Sequence, residues 1–90
     1  MLTVRFAESA AEQFRWWERT NPKVAEKIKA LLRDAREHPF SGLGKPEPLK
    51  ENLSGFWSRR ITGEHRLVYR VRDETIEVVQ CRFHYGQRTK

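Results

Sequence analysis

After its first two helix-like segments, the spacing of apolar residues in this chain changes from a helical repeat to strand alternation, and this change constrains the fold most. The second half contains three runs that alternate as β-strands do: Phe56–Thr62, His65–Val71 and Thr75–Tyr85. Turns at Gly63-Glu64 and near Arg72 to Glu74 separate the runs. Because antiparallel neighbours need only short connections, the runs predict an antiparallel meander.

The first half predicts one short strand followed by two helices. The segment Leu2–Phe6 alternates as a strand, and three apolar residues then share one helical face: Ala10, Phe14 and Trp17. Asn21 followed by Pro22 is typical of a helix start, so a short turn at Arg19 to Asn21 would join the helices. The second helix carries its own apolar stripe: Val24, Ile28, Leu31, Leu32 and Ala35. Pro39 predicts its end.

This order of elements is that of an α+β fold. We predict two N-terminal-half helices packed on one face of a mainly antiparallel β-sheet, with the other face free for a partner. At 90 residues the chain is expected to form a single domain, 1–90, in which residues 86–90 are a flexible tail. Residues 39–55 contain too many glycines and prolines for regular structure before Pro48.

The charge of the chain favours a polyanionic partner. A net charge of +6 and a pI of about 10.0 suit RNA, DNA, an anionic membrane surface or an acidic protein. Cys81 is the single cysteine and lies in a strand pattern, so it predicts a small buried side chain and no disulfide. No signal peptide or membrane span of about 18 apolar residues is present, and a cytoplasmic location is expected.

The sequence predicts neither a metal site nor a bound cofactor. Three histidines lie far apart along the chain, and no paired-cysteine or His-Glu motif accompanies them: His38, His65 and His84. No glycine-rich loop between a strand and a helix suggests nucleotide binding. No serine or cysteine nucleophile has a partnered base.

Strand alternation separates a core side from a polar side in the last two runs. In the last run, we expect one set of residues to fill the core and to leave a working surface opposite: Val79, Cys81 and Phe83 against Gln80, Arg82 and His84. In the run before it, the corresponding sets are these: Leu67, Tyr69 and Val71 against Arg66, Val68 and Arg70.

Four arginines lie among the apolar residues of the first hairpin: Arg59, Arg60, Arg66 and Arg70. A two-residue turn at Gly63-Glu64 would pair Ile61 with Arg66. A three-residue loop, Thr62–Glu64, would pair Arg60 with Arg66, and we favour this loop. Because like charges directly opposite destabilise a sheet, that register indicates joint binding of an anion such as phosphate. We therefore predict that the arginines form one anion-binding face; the alternative is the solvated side of a half-buried sheet.

Two further residues could carry chemistry. Glu47 lies between Pro46 and Pro48, which stiffen the backbone on both sides, so a positioned base competes with the commoner solvent-exposed loop glutamate. His84 is on the predicted working surface, and an ordinary histidine pKa of about 6.5 suits a proton donor among arginines. A structural histidine is the alternative.

The segment "KPEPLKENLSGFWSRRITGEHRLVYRV", followed by "CRFHY", resembles the YoeB/Txe toxins of the RelE superfamily. These are ribosome-dependent mRNA interferases of bacterial toxin-antitoxin pairs, and the resemblance extends from the first strand to Tyr85. It implies a compact fold of two helices on an antiparallel sheet, which agrees with the arrangement reached from periodicity.

The resemblance also implies a mechanism. Glu47 would be the general base on the ribose 2′-hydroxyl of mRNA, Arg66 would stabilise the transition state, and His84 would protonate the leaving 5′-oxygen. Substrate binding would fall to three more residues: Lys50, Arg60 and Tyr85. The products would be a 2′,3′-cyclic phosphate and a 5′-hydroxyl. Since the attacking hydroxyl belongs to the RNA, no metal or cofactor is needed.

The partners implied by the resemblance are mRNA in the ribosomal A site, the 70S ribosome and a cognate antitoxin of the YefM/Phd type. Operator DNA would be contacted only through the antitoxin complex, and no membrane is involved. Two alternatives lack catalysis: an inhibitor on the same scaffold that resembles the ParE-type gyrase poisons, and a basic nucleic-acid-binding module. Neither needs Glu47 and His84 together.

Overall fold

The structure, a computed structural model, describes residues 1–83. Its main elements are, in order: β1 (Thr3–Phe6), α1 (Glu8–Thr20), α2 (Pro22–Glu37), β2 (Glu47–Pro48), β3 (Trp57–Arg60), β4 (Arg66–Arg72) and β5 (Thr75–Gln80). A 3₁₀ turn, Glu51–Leu53, lies between β2 and β3. The predictions for His84, Tyr85 and residues 86–90 lie outside the described residues. Neither helix in the described part is long and apolar enough to cross a membrane.

The strands form one sheet in the order β1-β5-β4-β3-β2. β1 runs parallel to β5, whereas β2 to β5 pair with one another in antiparallel fashion. The first strand therefore lies beside the last, and α1 and α2 form the crossover between β1 and the rest of the sheet. The predicted α+β class, with two helices and a mainly antiparallel sheet, is confirmed.

The core lies between the helices and one face of the sheet. Trp17 of α1 and the stripe of α2 pack against buried residues of the central strand and its neighbour: Leu67 and Tyr69 of β4, and Ile76 and Val78 of β5. A single residue, Asn21, separates the helices, because α1 continues to Thr20. Pro22 begins α2 as predicted, although the Asn21 side chain makes no capping hydrogen bond.

The pairing of β4 with β5 contains a β-bulge. Tyr69 is opposite Val78, whereas the preceding Val68 is opposite Gln80. Val79 is therefore an extra residue on β5, and the side-chain alternation shifts by one position there. Regular alternation in the sequence gives no sign of this shift.

The structure differs from the prediction at two of the three residues expected to fill the core in the last run. β5 ends at Gln80 and does not continue to Tyr85 as predicted. Cys81 is fully buried in the core, as expected. Val79, however, is only half-buried and Phe83 is 39% exposed, so the prediction that both fill the core is wrong.

Candidate functional site

The sheet face away from the helices is buried at its centre. Ser58, Val68 and Gln80 occupy successive strands in one row and are 2%, 1% and 5% exposed. The expectation that this whole face is free for a partner is therefore wrong at the centre. Exposed and half-exposed charged side chains surround this buried row.

A pair of arginines lies at one end of the row. Arg60 and Arg66 are direct partners in the β3–β4 ladder, which confirms the register predicted from the longer loop. Arg60 is exposed, and Arg66 is half-buried with its Nη1 donating to Thr62 O at 3.1 Å. Neither forms a salt bridge with a described carboxylate. Two unneutralised cations side by side make a site for an anion.

Glu47 is on the same face as this pair. It is opposite Ser58 in the β2–β3 ladder, and direct cross-strand partners share a face. Arg60 comes two residues after Ser58, so it is the diagonal neighbour of Glu47, about 7 to 8 Å away. Arg66 is one strand further, roughly 12 Å from Glu47 between Cα atoms. The Glu47 carboxylate is exposed and makes no hydrogen bond or ion pair with any other described residue.

Lys50 lies in the same groove as Glu47. Residues 47–53 line an open cavity of about 500 Å³ at the edge of the sheet. This edge is attached to β3, since the Leu49 N–H donates to Phe56 O at 2.9 Å. Lys50 is exposed there. The groove therefore combines the ammonium of Lys50 with two carboxylates, those of Glu47 and Glu51, at the edge of the sheet next to β3.

Gly44 directs the chain from α2 towards Glu47. Its φ of +79° suits glycine, and its carbonyl accepts a hydrogen bond from Arg60 N–H at 2.7 Å. A Cβ added there would lie 2.9 Å from Leu31 Cδ2 and 3.1 Å from Arg60 O. The loop can thus run close against β3 only because this residue has no side chain.

Arg59 is not part of the anion-binding face, and that prediction is wrong. It is fully buried on the helix side of the sheet, as strand alternation with Trp57 and Ile61 requires. All five N–H donors of its guanidinium group are used: Nε to Tyr69 Oη, Nη1 to Asp34 Oδ2 and Leu43 O, and Nη2 to His38 O and Ser41 O. Arg59 therefore holds the loop that leads to Glu47.

The same network fixes the ionisation of Asp34. The hydrogen bond from Arg59 Nη1, at 2.7 Å, and that from Leu43 N–H, at 3.0 Å, hold the pKa of Asp34 below its ordinary value of 3.8. Asp34 thus stays charged at neutral pH and neutralises the buried guanidinium. Tyr69 Oη donates in turn to Pro39 O at 2.6 Å, which adds a further tie to this loop.

Arg70 lies on the predicted face, but a carboxylate already neutralises it. Its Nε donates to Glu77 at 2.7 Å, and Arg5 and Arg72 bind the same carboxylate. The hydrogen bond from Arg70 is the main reason that the pKa of Glu77 lies below its ordinary value of 4.5. The free cations therefore lie at the Arg60 end of the face.

Arg82 turns towards the helices instead of joining the working surface. Its guanidinium carbon lies 3.6 Å from the Trp16 ring centroid on α1 and 4.5 Å from that of Phe83. Strand β5 ends at Gln80, so the alternation on which the prediction depended does not extend to Arg82. The prediction for Arg82 is therefore wrong.

The residues after β5 are anchored by hydrogen bonds that the sequence analysis did not predict. Cys81 is held from α1 at both main-chain atoms, since its N–H donates to Gln13 Oε1 at 2.7 Å and its carbonyl accepts from Trp17 Nε1 at 2.9 Å. Phe83 N–H donates to His65 Nδ1 at 2.7 Å, and Phe83 O accepts from Arg66 N–H at 3.1 Å. The last described residue is thus fixed beside Arg66.

The structure brings together four of the predicted site residues: Glu47, Lys50, Arg60 and Arg66. Within residues 1–83, no cluster of three or more histidine, cysteine, aspartate or glutamate side chains could hold a metal ion. The described groups therefore offer a carboxylate base and cations for charge stabilisation.

Comparisons with known proteins agree with one another. Residues 6–85 match the family described as "YoeB-like toxin of bacterial type II toxin-antitoxin system". The toxin YoeB of Escherichia coli (strain K12) is 51% identical over 80 residues, which cover 89% of this chain and 95% of that protein.

Two solved structures have the same fold at high identity. A YoeB/ParE toxin from Agrobacterium tumefaciens aligns with a TM-score of 0.91 and 50% identity, covering 93% of this chain and 100% of that one. A chain of the YoeB-YefM complex from Staphylococcus aureus aligns with a TM-score of 0.86 and 42% identity, covering 94% of this chain and 99% of that one. The similarity thus includes the sheet that carries the site.

Proposed function

The chain belongs to the YoeB-like toxins of bacterial type II toxin-antitoxin systems, and from this premise we propose that it is a metal-independent endoribonuclease. It cleaves mRNA in the ribosomal A site and so inhibits translation in the bacterial cytoplasm. One observation carries the proposal: the carboxylate of Glu47, which has no partner among residues 1–83, shares a sheet face with the directly paired Arg60 and Arg66. Attack of a ribose hydroxyl on phosphorus needs such a base beside cations.

Glu47 removes the proton from the ribose 2′-hydroxyl, and the resulting oxygen attacks the adjacent phosphorus. The bond from phosphorus to the 5′-oxygen breaks, and His84 donates a proton to that leaving oxygen. Arg66 stabilises the negative charge that develops on the phosphate oxygens. The products are a 2′,3′-cyclic phosphate and a 5′-hydroxyl, so no water or metal takes part in this step.

The remaining residues bind and orient the RNA. Arg60 is exposed beside Arg66 and can bind the phosphate of the reacting nucleotide through its planar fork. Lys50 lies in the groove with Glu47 and binds the RNA strand there. Tyr85 completes the substrate-binding set. Since DNA lacks the 2′-hydroxyl, the same site does not cleave DNA.

An open site on the edge of a small sheet orients free RNA poorly. The groove beside Glu47 is open and lined mostly by exposed residues, so little of an RNA strand would be enclosed. The 70S ribosome supplies the missing orientation by holding the codon in the A site. Cleavage therefore depends on the ribosome.

A cognate antitoxin of the YefM/Phd type neutralises the toxin. The Staphylococcus aureus relative of known structure is a complex with YefM, and a net charge of +6 favours an acidic partner. The antitoxin covers the basic face and blocks access to Glu47. Operator DNA is contacted only through this complex.

Primer extension on mRNA held in programmed 70S ribosomes tests the proposal. The intact protein should cut within the A-site codon, and naked mRNA should stay intact. Replacement of the base (Glu47→Gln) or of the acid (His84→Ala) should each lower the single-turnover rate by about 10²- to 10⁴-fold. Circular dichroism of each variant confirms that the fold is kept.

Glu51→Gln is the matched control, because Glu51 lines the same groove and is also exposed. It should cleave at nearly the rate of the intact protein. A Glu47→Gln variant that cleaves equally fast would overturn the mechanism. Well-folded intact protein that cleaves nothing on the ribosome would instead favour a noncatalytic inhibitor or binding module.

A further inference from the structure

The main chain of Phe83 is held in a strained conformation by three hydrogen bonds outside the sheet ladders. Its φ is +70°, in the left-handed region that residues other than glycine rarely adopt. Its N–H donates to His65 Nδ1 at 2.7 Å, and its carbonyl accepts from Arg66 N–H at 3.1 Å and from Gln80 Nε2 at 3.0 Å. A strained residue persists only where its surroundings fix it.

We propose that His65 is a positioning residue, whose neutral imidazole locks the main chain of Phe83 and thereby sets how the chain enters residue 84. The consequence for catalysis rests on the proposed function, in which His84 is the acid. The hydrogen bond between His65 and Phe83 does not depend on the proposed function, since both residues lie in the described part of the chain. His65 would act through Phe83 and would not touch the RNA.

The lock requires one protonation state. Phe83 N–H donates to Nδ1, so that nitrogen must keep its lone pair and the imidazole proton must be on Nε2. When His65 binds a second proton, Nδ1 also becomes a donor and faces the N–H of Phe83. The hydrogen bond is then lost, and two donors face each other.

The surroundings of His65 favour the neutral form. The Trp17 ring on α1 lies nearly perpendicular to the imidazole, with ring centroids 4.9 Å apart, and the Phe83 ring centroid is 5.9 Å away. Burial lowers the pKa of His65 from its ordinary value of 6.5; Glu64 in its own loop raises it, and Arg82 after β5 lowers it. α1 contributes an uncharged ring at this contact.

The direction of the pH effect follows. Because the folded-state pKa lies below 6.5, the unfolded chain binds the proton more readily, and the folded state loses stability as pH falls below 6.5. The lock on Phe83 is complete near neutral pH. It opens as pH falls through the folded-state pKa of His65.

Two substitutions separate the hydrogen bond from the bulk of the side chain. His65→Asn places an amide oxygen near the position of Nδ1 and keeps an acceptor that cannot be protonated in this range. His65→Leu keeps apolar volume against Trp17 but removes the acceptor. His38→Asn is the matched control, because His38 is exposed at the end of α2.

NMR spectroscopy of the intact, ¹⁵N-labelled protein tests the lock without reference to activity. The amide proton of Phe83 should titrate with the same midpoint as the His65 ring, and the ring nitrogens should report a proton on Nε2 at neutral pH. In His65→Asn the Phe83 amide should stay at its neutral-pH position throughout. A Phe83 amide that ignores the ionisation of His65 would overturn the inference.

Single-turnover cleavage on the ribosome tests the consequence. His65→Leu should lower the rate constant by about 10- to 100-fold, as expected for a small misplacement of a reacting group, with little change in the concentration for half-saturation. His65→Asn should restore most of the rate, and His38→Asn should match the intact protein. Full activity of His65→Leu would overturn the positioning role. If the intact protein does not cleave, the proposed function fails, whereas the NMR titration still decides the lock.

Discussion

Removal of the guanidinium of Arg59 should loosen the loop that carries Glu47. In Arg59→Met the aliphatic stem remains, but five hydrogen bonds disappear and Asp34 loses the cation that neutralises it. Breaking a buried ion pair by removing one partner costs about 3 to 5 kcal/mol. Asp34 is 21% exposed and keeps its bond to Leu43 N–H, so water can replace part of the loss. We therefore expect Arg59→Met to lower the free energy of unfolding by about 3 kcal/mol.

Such a loss is large for a fold whose total stability is about 5 to 15 kcal/mol. Urea unfolding followed by tryptophan fluorescence measures it. With a slope of about 1 kcal/mol/M for a small domain, the midpoint should fall by about 3 M. Arg33→Met is the matched control, because Arg33 is exposed on α2, and its effect should stay within about 0.5 kcal/mol.

A double-mutant cycle and a pH series sharpen the test. Asp34→Asn should cost less in the Arg59→Met background than in the intact protein, by at least about 1 kcal/mol. Because the pKa of Asp34 is held below 3.8, its contribution to stability is present above pH 3.8 and lost as pH falls through its folded-state pKa. Arg59→Met should lose this acid sensitivity. An unchanged midpoint for Arg59→Met, or additive costs, would refute the reasoning.

Two further substitutions and one labelling experiment test other parts of the structure. Gly44→Ala should lower the free energy of unfolding in urea by about 1 to 3 kcal/mol, because its φ is +79° and the new Cβ meets Leu31. Gly63→Ala is the control and should be nearly neutral, because a Cβ there meets nothing within 4 Å. Equal costs for the two substitutions would contradict this reasoning. Trp17→Phe should cost about 1 to 3 kcal/mol, since the buried carbonyl of Cys81 loses its donor; an unchanged stability would show that this anchor is unimportant. Burial raises the pKa of Cys81 to about 12, so iodoacetamide at pH 8 should label it only when the chain unfolds, as followed by mass spectrometry; rapid labelling of folded protein would contradict its burial.

Local sequence patterns were sufficient to predict the helices, and the choice of one loop length predicted the paired arginines. The stripes of α1 and α2 are buried where the spacing of apolar residues predicted, because each helix buries one face against the same sheet. The pairing of Arg60 with Arg66 depends on the length of one loop, and the structure confirms the three-residue loop that was favoured over a two-residue turn.

The positions that the sequence analysis did not predict correctly depend on contacts between residues distant in the sequence. The bulge at Val79 depends on how β5 pairs with β4. Strand β5 also ends at Gln80, so strand alternation no longer decides the sides of Arg82 and Phe83. Arg59 did carry a signal, because alternation groups it with Trp57 and Ile61, but its charge argued for the surface. Its burial depends on loop carbonyls that are distant in sequence. The role of His65 likewise depends on a contact with Phe83, 18 residues away.

The identity of the attacking nucleophile is the most direct test of RNA cleavage by this site. We would place an mRNA with one 2′-deoxynucleotide at the cut position of the A-site codon in 70S ribosomes, beside the all-ribose mRNA, and analyse the ends by mass spectrometry. The all-ribose mRNA should be cut to a 2′,3′-cyclic phosphate and a 5′-hydroxyl, and the deoxy-substituted mRNA should stay intact at that position. Equal cleavage of both, or a product with a 5′-phosphate, would mean that water attacks and that the 2′-hydroxyl mechanism with Glu47 as base is wrong.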